Sequence, residues 1–233
     1  AEALAKFGDL YVNDGFAVSH RAHASVDAIT SFLPSYAGPL LASEISVLGK
    51  REEHVKRPFV LVLGGLKMST KLPIIERFLP QLDTLLVGGA LANVFLVASG
   101  KSVGKSVYEQ GSVETAERLL KKYAKKILLP IDVVCVRSLR RDAKQEVKQV
   151  DGILAGDRIV DIGPATRKAF AQALTGAKTI LWNGPLGYCE VAEFCAGTRD
   201  VAGAIAKQTG HATTVVGGGD TLPVIESLKL ADK

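Results

Sequence analysis

The 233-residue chain contains no run approaching the ~18 to 20 uninterrupted apolar residues that a membrane span needs. It opens Ala1-Glu2-Ala3-Leu4-Ala5-Lys6, without the basic start and cleavage pattern of a secretory signal, so a soluble protein is expected. The three cysteines, Cys135, Cys189 and Cys195, form neither an even disulfide framework nor a close metal-ligand pair, which suits a reducing, cytoplasmic compartment. The chain lacks Gly-x-Gly-x-x-Gly, which argues against a nicotinamide-dependent oxidoreductase. Gly100-Lys101-Ser102-Val103-Gly104-Lys105-Ser106 is one residue short of a Walker A loop and follows a helical pattern rather than a strand. Aromatics are only 6% of residues, and the basic patches at Lys121-Lys122, Lys125-Lys126 and Arg137 to Arg141 are hardly interleaved with them. The net charge of +5 is therefore read as solvated helix and loop faces, and no nucleic-acid or membrane partner is expected. There is no internal repeat and no low-complexity segment.

What the chain has is a set of glycine-rich turns: Gly64-Gly65-Leu66-Lys67, Gly88-Gly89-Ala90, Gly163-Pro164, Trp182-Asn183-Gly184-Pro185 and Gly217-Gly218-Gly219-Asp220. Most end a short apolar run and open a helical pattern. A strand that stops at glycine brings bare N–H groups and a helix start to one sheet edge, a setting that suits phosphate. Strands are expected at Phe59–Leu63, Thr84–Val87, Ile127–Leu129 continuing towards Val133–Val136, Thr179–Trp182 and Thr213–Val216, with a strand end at Asp9–Asn13. Helices are expected near Leu40–Lys50, Leu72–Phe78, Leu91–Ala98, Val113–Lys122, Ala165–Leu174, Arg199–Lys207 and Leu222–Leu228. Near-continuous apolar strands separated by single helices indicate an α/β fold, a Rossmann-like parallel sheet with helices on both faces.

Two lysines stand out for chemistry. Lys67 follows the Gly-Gly turn, and Lys71 lies four residues on, which places both on one face of a helix that starts at the turn. Cations at a helix N-terminus oppose the macrodipole, so they need a reason to be there. Phosphoryl transfer supplies one, because it requires positioned positive charge on phosphate oxygens. Asp220, after three glycines, suits an N-cap, and capping alone would explain it.

The combination is more specific than any single turn. Tyr11-Val12-Asn13-Asp14-Gly15-Phe16, His20-Arg21-Ala22-His23-Ala24-Ser25, Arg57-Pro58-Phe59-Val60, Gly64 to Lys71, Leu129-Pro130-Ile131-Asp132-Val133-Val134, Asp161-Ile162-Gly163-Pro164, Trp182-Asn183-Gly184-Pro185 and Gly217 to Thr221 together resemble the phosphoglycerate kinase family, in its order and over essentially the whole chain. The resemblance implies a two-lobed enzyme that moves a phosphoryl group between ATP and 3-phosphoglycerate with Mg²⁺, in glycolysis and gluconeogenesis. It implies that residues 1–39 are the last strand and helix of the substrate lobe, that 40–56 form an interdomain helix, and that 57–233 are the nucleotide-binding lobe. Members of the family begin earlier and end later than this chain. Lys67 and Lys71 would contact nucleotide phosphates, Lys71 nearest the transferred group. Asp220 would hold Mg²⁺, while Gly65, Leu66, Gly217, Gly218, Gly219 and Thr221 would frame the nucleotide. Asn183, Pro185 and Glu190 resemble the adenosine side, Glu190 accepting from ribose hydroxyls, and Gly89 would lie near adenine. Arg21 resembles the arginine that grips phosphoglycerate, with His20 beside it; His23 is assigned to packing and Trp182 to the core. The implied partners are small molecules only, and the implied state is a monomer.

The sequence departs from the family pattern at the nucleotide site. Leu66 stands where alanine is usual and crowds the nucleotide; Thr70 stands where aspartate is usual, removing a carboxylate near the phosphates. Gly187-Tyr188-Cys189-Glu190 replaces Gly-Val-Phe-Glu, and Thr221-Leu222-Pro223-Val224 replaces an Ala-rich stretch. These changes leave two readings open: an active kinase, and a catalytically impaired nucleotide-binding relative that serves as a regulatory or scaffold module.

Overall fold

A computed structural model describes residues 1–52 and 55–230, without the side chains of 47–52. Glu53 and His54, within the expected interdomain helix, lie outside the described residues. The chain divides into two compact units, Ala1–Val55 and Lys56–Lys233.

The first unit has a short helix α1 (Glu2–Ala5), strands β1 (Tyr11–Asn13) and β2 (Ser35–Ala37), and helix α2 (Pro39–Glu52). Two strands occur where one was expected, since the four residues between Pro34 and Pro39 carry no readable periodicity. They pair in parallel, Val12 opposite Tyr36. Asn13 and Asp14 tie the unit together: Gly38 N–H donates to Asn13 O at 2.7 Å, and Leu41 N–H in the first turn of α2 donates to Asp14 Oδ1 at 3.0 Å. A carboxylate on those free N–H groups is a cap supplied from outside the helix.

The second unit is built on a five-stranded parallel sheet in the order β10-β9-β3-β4-β5. In chain order its elements are β3 (Phe59–Leu63), α3 (Leu72–Phe78), β4 (Thr84–Val87), α4 (Gly89–Ala98), α5 (Val113–Tyr123), β5 (Ile127–Leu128), β6 (Asp132–Val136), β7 (Glu146–Gln149), β8 (Arg158–Ile162), α6 (Pro164–Leu174), β9 (Thr179–Asn183), α7 (Ala196–Ala206), β10 (Thr213–Gly217) and α8 (Leu222–Ser227). Strand β3 is buried throughout, so both its faces are covered, as its unbroken Phe-Val-Leu-Val-Leu requires. On one face Val60, Val62, Ile180 and Trp182 pack with Phe170, Leu174, Val201 and Ile205 of α6 and α7. On the other Phe59 meets Phe78 of α3 edge to face at 5.7 Å. Trp182 is fully buried, and its indole N–H donates to Gly184 O at 2.8 Å, the core role expected of it.

Several expectations are corrected. The strand expected to run from Ile127 to Val136 is two strands in different sheets. Pro130 interrupts the run, and Asp132 is drawn to α6, its carboxylate accepting from Ala165 N–H at 2.9 Å and Thr166 N–H at 2.7 Å. Strand β6 then pairs antiparallel with β7 and β8 in a separate three-stranded sheet. Neither β7, with mostly exposed polar residues, nor β8, with charges inside its apolar run, signals itself by alternation. Cys189 and Cys195 are joined in a disulfide, because the chain reverses after Gly187 and returns Cys195 to a Cα separation of 4.6 Å.

Candidate functional site

The candidate site sits where three strand ends meet. In the order β9-β3-β4 the C-terminal ends of neighbouring strands carry Asn183-Gly184-Pro185, Gly64-Gly65 and Gly88-Gly89. The chain leaves β3 in both directions across the sheet, so a crevice opens outside the strand ends between β3 and β9. The turns pack backbone against backbone: Gly64 N–H donates to Asn183 O at 3.0 Å, Gly65 N–H to Pro185 O at 2.8 Å, and Leu91 N–H to Gly65 O at 3.0 Å. A β-carbon on Gly64 would lie 2.0 Å from Pro185 O, and Gly184 has φ +92 with only 2.5 Å to Gly64 O. Glycine is required at both positions by the approach of neighbouring backbone.

Lys71, Asn183 and Asp220 come together here although they lie far apart in sequence. Lys71 Nζ donates to Asn183 Oδ1. Burial lowers the pKa of Lys71, and the nearby Asp220 carboxylate opposes that shift. Asn183 also stands 3.3 Å from where a Gly218 β-carbon would be, and Gly218 has φ +102. The cation, the amide and the glycine turn after β10 thus form one cluster.

Two local expectations about this cluster are revised. Helix α3 begins at Leu72 with Lys71 as its N-cap residue, so Lys67 and Lys71 share no helix face. Residues 64–71 form an irregular turn, because Pro73 fixes the helix start and the preceding Gly-Gly pair does not favour helix. Lys67 is exposed on that turn. The N-cap of α8 is Thr221, not Asp220, which leaves the Asp220 carboxylate free of a capping role. Thr221 is fully buried, and its hydroxyl accepts from Gly184 N–H at 3.0 Å, which ties the turn after β10 to that after β9.

Beside the cluster lies a cavity of about 210 Å³. Gly65, Leu66, Gly89, Pro185, Glu190 and Asp220 all line it, with α4 and the antiparallel sheet supplying apolar walls. Leu66 is 54% exposed, so its side chain stands at the cavity edge rather than in the core. Lys67, Lys71, Asn183, Gly217, Gly218, Gly219 and Thr221 are outside this lining. His20 and Arg21 belong to the first unit, both exposed, with Arg21 N–H bonded to Val18 O at 3.0 Å.

Two supporting carboxylates carried no readable motif for this role. Glu109 accepts from Ser69 N–H at 2.8 Å and Ser69 Oγ at 2.6 Å, anchoring the turn that carries Lys67 and Lys71, and these bonds hold its carboxyl below its ordinary pKa. Asp161 at the end of β8 accepts from Gly197 N–H at 2.7 Å and packs where β-carbons of Gly187 and Gly197 would be. Burial pushes its carboxyl up to about 6 despite Gly197 N–H and Arg167. Only a partner far away in sequence would have revealed either role.

Comparison with known proteins places this geometry. A family model described as phosphoglycerate kinase matches residues 1–233. A phosphoglycerate kinase of Herpetosiphon aurantiacus is 46% identical over 236 residues, covering 100% of this chain and 59% of that protein. One of Desulfosudis oleivorans is 46% identical over 237 residues with the same coverage, 100% and 59%. Among solved structures, phosphoglycerate kinase from Coxiella burnetii matches with TM-score 0.83 and 41% identity, covering 98% of this chain and 60% of that one. The Pyrococcus horikoshii enzyme matches with TM-score 0.82 and 30% identity, covering 97% and 57%. The chain therefore spans about 59% of the length of the curated relatives it matches.

Proposed function

The chain belongs to the phosphoglycerate kinase family, and on that premise we propose that it provides the nucleotide-binding part of a kinase acting reversibly between ATP and 3-phosphoglycerate. A carboxylate oxygen of 3-phosphoglycerate attacks the γ-phosphorus, the bond to the β-phosphate oxygen breaks, and 1,3-bisphosphoglycerate and ADP result. The observation that carries this reading is the meeting of Lys71, Asn183 and Asp220 over strand-end glycines. Lys71, half-buried and held by one amide oxygen, is poised to exchange that oxygen for phosphate oxygens. Fixed positive charge of this kind stabilises a loose phosphoryl-transfer transition state. Lys67, exposed on the same turn, reaches phosphate from the solvent side. Adenosine takes the cavity, base against Gly89 and ribose at Glu190. His20 and Arg21 serve the acceptor substrate from the first unit.

Mg²⁺ fits the donor set in a limited way. No group of three or more His, Cys, Asp or Glu side chains gathers among the described residues. Mg²⁺ needs no such cage, since it is commonly held by one or two carboxylates with substrate phosphates and water. Asp220, free of a capping role and close to Lys71, is the carboxylate that would hold it. Bound there, Mg²⁺ would neutralise charge on the phosphates. No helix among the described residues is long and apolar enough to cross a membrane; we place the protein in the cytoplasm, as a monomer. Titration calorimetry of the 233-residue chain with ADP and excess Mg²⁺ tests the assignment. Measurable binding is expected, and its absence would sink the nucleotide reading.

A further inference from the structure

The disulfide lies in the loop that builds one wall of the nucleotide cavity. Leu186, Gly187, Tyr188 and Glu190 line that cavity, and Cys189 sits among them. The bond joins Cys189 to Cys195, the N-cap residue of α7, across a short helical turn at Ala192–Phe194 whose Phe194 is fully buried. Thr198 on α7 is fully buried, and its hydroxyl serves both ends of the wall. It accepts from Leu186 N–H at 3.0 Å and donates to Cys189 Sγ at 3.2 Å. The covalent link thus pins a cavity-lining segment to a helix of the core.

The two sulfurs are unequal. Cys195 is 3% exposed, while Cys189 is partly exposed, which makes Cys189 the more accessible residue of the pair. The departing sulfur would be that of Cys195, at the N-terminal end of an 11-residue helix, where the macrodipole favours a thiolate. A better-stabilised thiolate leaves faster. Asp161, which accepts from Gly197 N–H in the same turn, partly offsets that advantage. The third cysteine offers no such chemistry: Cys135 is 1% exposed in β6, and burial with the nearby Asp157 pushes its thiol up to about 11.

We propose that Cys189 and Cys195 form an exchangeable thiol–disulfide pair that sets how firmly the Gly187–Glu190 wall is held, so that the oxidised chain binds nucleoside diphosphate more tightly than the reduced one. The proposal rests on the nucleotide reading above. In reduction, a thiolate of a small dithiol attacks Cys189 Sγ, the bond to Cys195 Sγ breaks, and Cys195 leaves with the electron pair and takes up a proton. The second thiol of the reductant then displaces Cys189, which also gains a proton, and the reductant departs as a cyclic disulfide. Oxidation by glutathione disulfide runs the other way and yields two glutathione thiols. Opening the pair frees the wall to sample conformations that must be reordered when ribose binds at Glu190, and that ordering subtracts from affinity.

The test uses the 233-residue chain treated with glutathione disulfide or with dithiothreitol, each form checked by alkylation and intact mass. One alkylatable cysteine is expected in the unfolded oxidised form and three in the reduced form. Calorimetry with ADP and Mg²⁺ should show binding about three- to tenfold weaker after reduction, a loss of preorganisation. The Cys189→Ser/Cys195→Ser protein should match the reduced form and ignore dithiothreitol. Because the main comparison is between two states of the wild-type chain, it does not depend on a variant folding. Three alkylatable cysteines after oxidation, or equal ADP affinity in both states, would overturn the proposal and leave the nucleotide reading standing. No ADP binding in either state would overturn both.

Discussion

The two units of this chain handle apolar residues differently. The first exposes Leu4, Phe7, Leu10, Val12, Phe16, Val18, Phe32, Tyr36, Leu40 and Ile45, and its only buried hydrophobics among the described residues are Ile29 and Leu41. The second is more than three times as long and exposes fewer large apolar side chains, while β3, most of β4 and all of β6 are buried. A two-stranded sheet cannot cover its own faces, whereas five parallel strands with helices on both sides can. The same difference runs through the proposed site residues. Lys71 and Asn183 are joined by a hydrogen bond, and the turns that carry them are tied backbone to backbone, with Asp220 exposed at the edge of the cluster, while His20 and Arg21 sit exposed on a turn of a unit with little core.

The largest expected effect separates binding from turnover. The 233-residue chain should bind Mg·ADP yet show no turnover in a coupled NADH-oxidation assay with 3-phosphoglycerate. Proximity and orientation supply roughly 7 to 11 kcal/mol of barrier lowering, and within these 233 residues the proposed acceptor contacts, His20 and Arg21, lie exposed on one turn. Appreciable turnover would show that the exposed unit is a working substrate site and dissolve the contrast.

In the complete enzyme, Lys71→Ala should lower kcat by about 10² to 10³ while leaving adenosine binding nearly intact, as for loss of one preorganised charge-stabilising group. A kcat within a few-fold of wild type would remove Lys71 from its assigned role. Arg21→Ala, in the other unit, should instead act through the KM for 3-phosphoglycerate.

Two predictions probe how tightly the second unit is built. Burial raises the pKa of Asp161 from 3.8 to about 6, so the folded state holds a proton that the unfolded chain releases first. The contribution of Asp161 to stability should therefore fall as pH rises from about 4 to 6 and level off above, by up to about 3 kcal/mol at 1.36 kcal/mol per unit. Asp161→Asn should flatten that segment of a urea-denaturation profile against pH, and an unchanged slope would show that the group does not titrate there. Gly64→Ala, which forces a β-carbon against Pro185 O, should cost about 1 to 3 kcal/mol or more. Gly219→Ala meets nothing within 4 Å and should be silent when both variants are compared by urea denaturation.

The smallest expected effect concerns the cavity edge. Leu66→Ala with Thr70→Asp should tighten Mg·ADP binding several-fold, about 1 kcal/mol, by clearing an exposed apolar side chain and restoring a carboxylate beside the phosphates. Weaker or equal affinity by calorimetry would mean that Glu109, through Ser69, already sets the turn as the site requires.

Much of the second unit was legible in the sequence. Strands β3 and β4 and helix α3 have the bounds expected from apolar runs and helical period, and the glycine turns lie at strand ends as read. Those signals are local: an apolar run or a 3.6-residue period is written within a dozen neighbouring residues. The sequence also determined the family, because the order of its turn motifs is itself sequence information, and the family-model match to residues 1–233 bears that out. Only the tertiary structure decided which turns meet. Strand order sets Lys71 against Asn183 across 112 residues and Ser69 against Glu109 across 40, and it turns the chain after Gly187 so that Cys189 finds Cys195. The same long-range packing moved β6 into a separate sheet and made Thr221, rather than Asp220, the start of α8. The reason is physical: a polar side chain selects its partner by distance in the folded chain, and that distance exists only after the sheet has closed over its core.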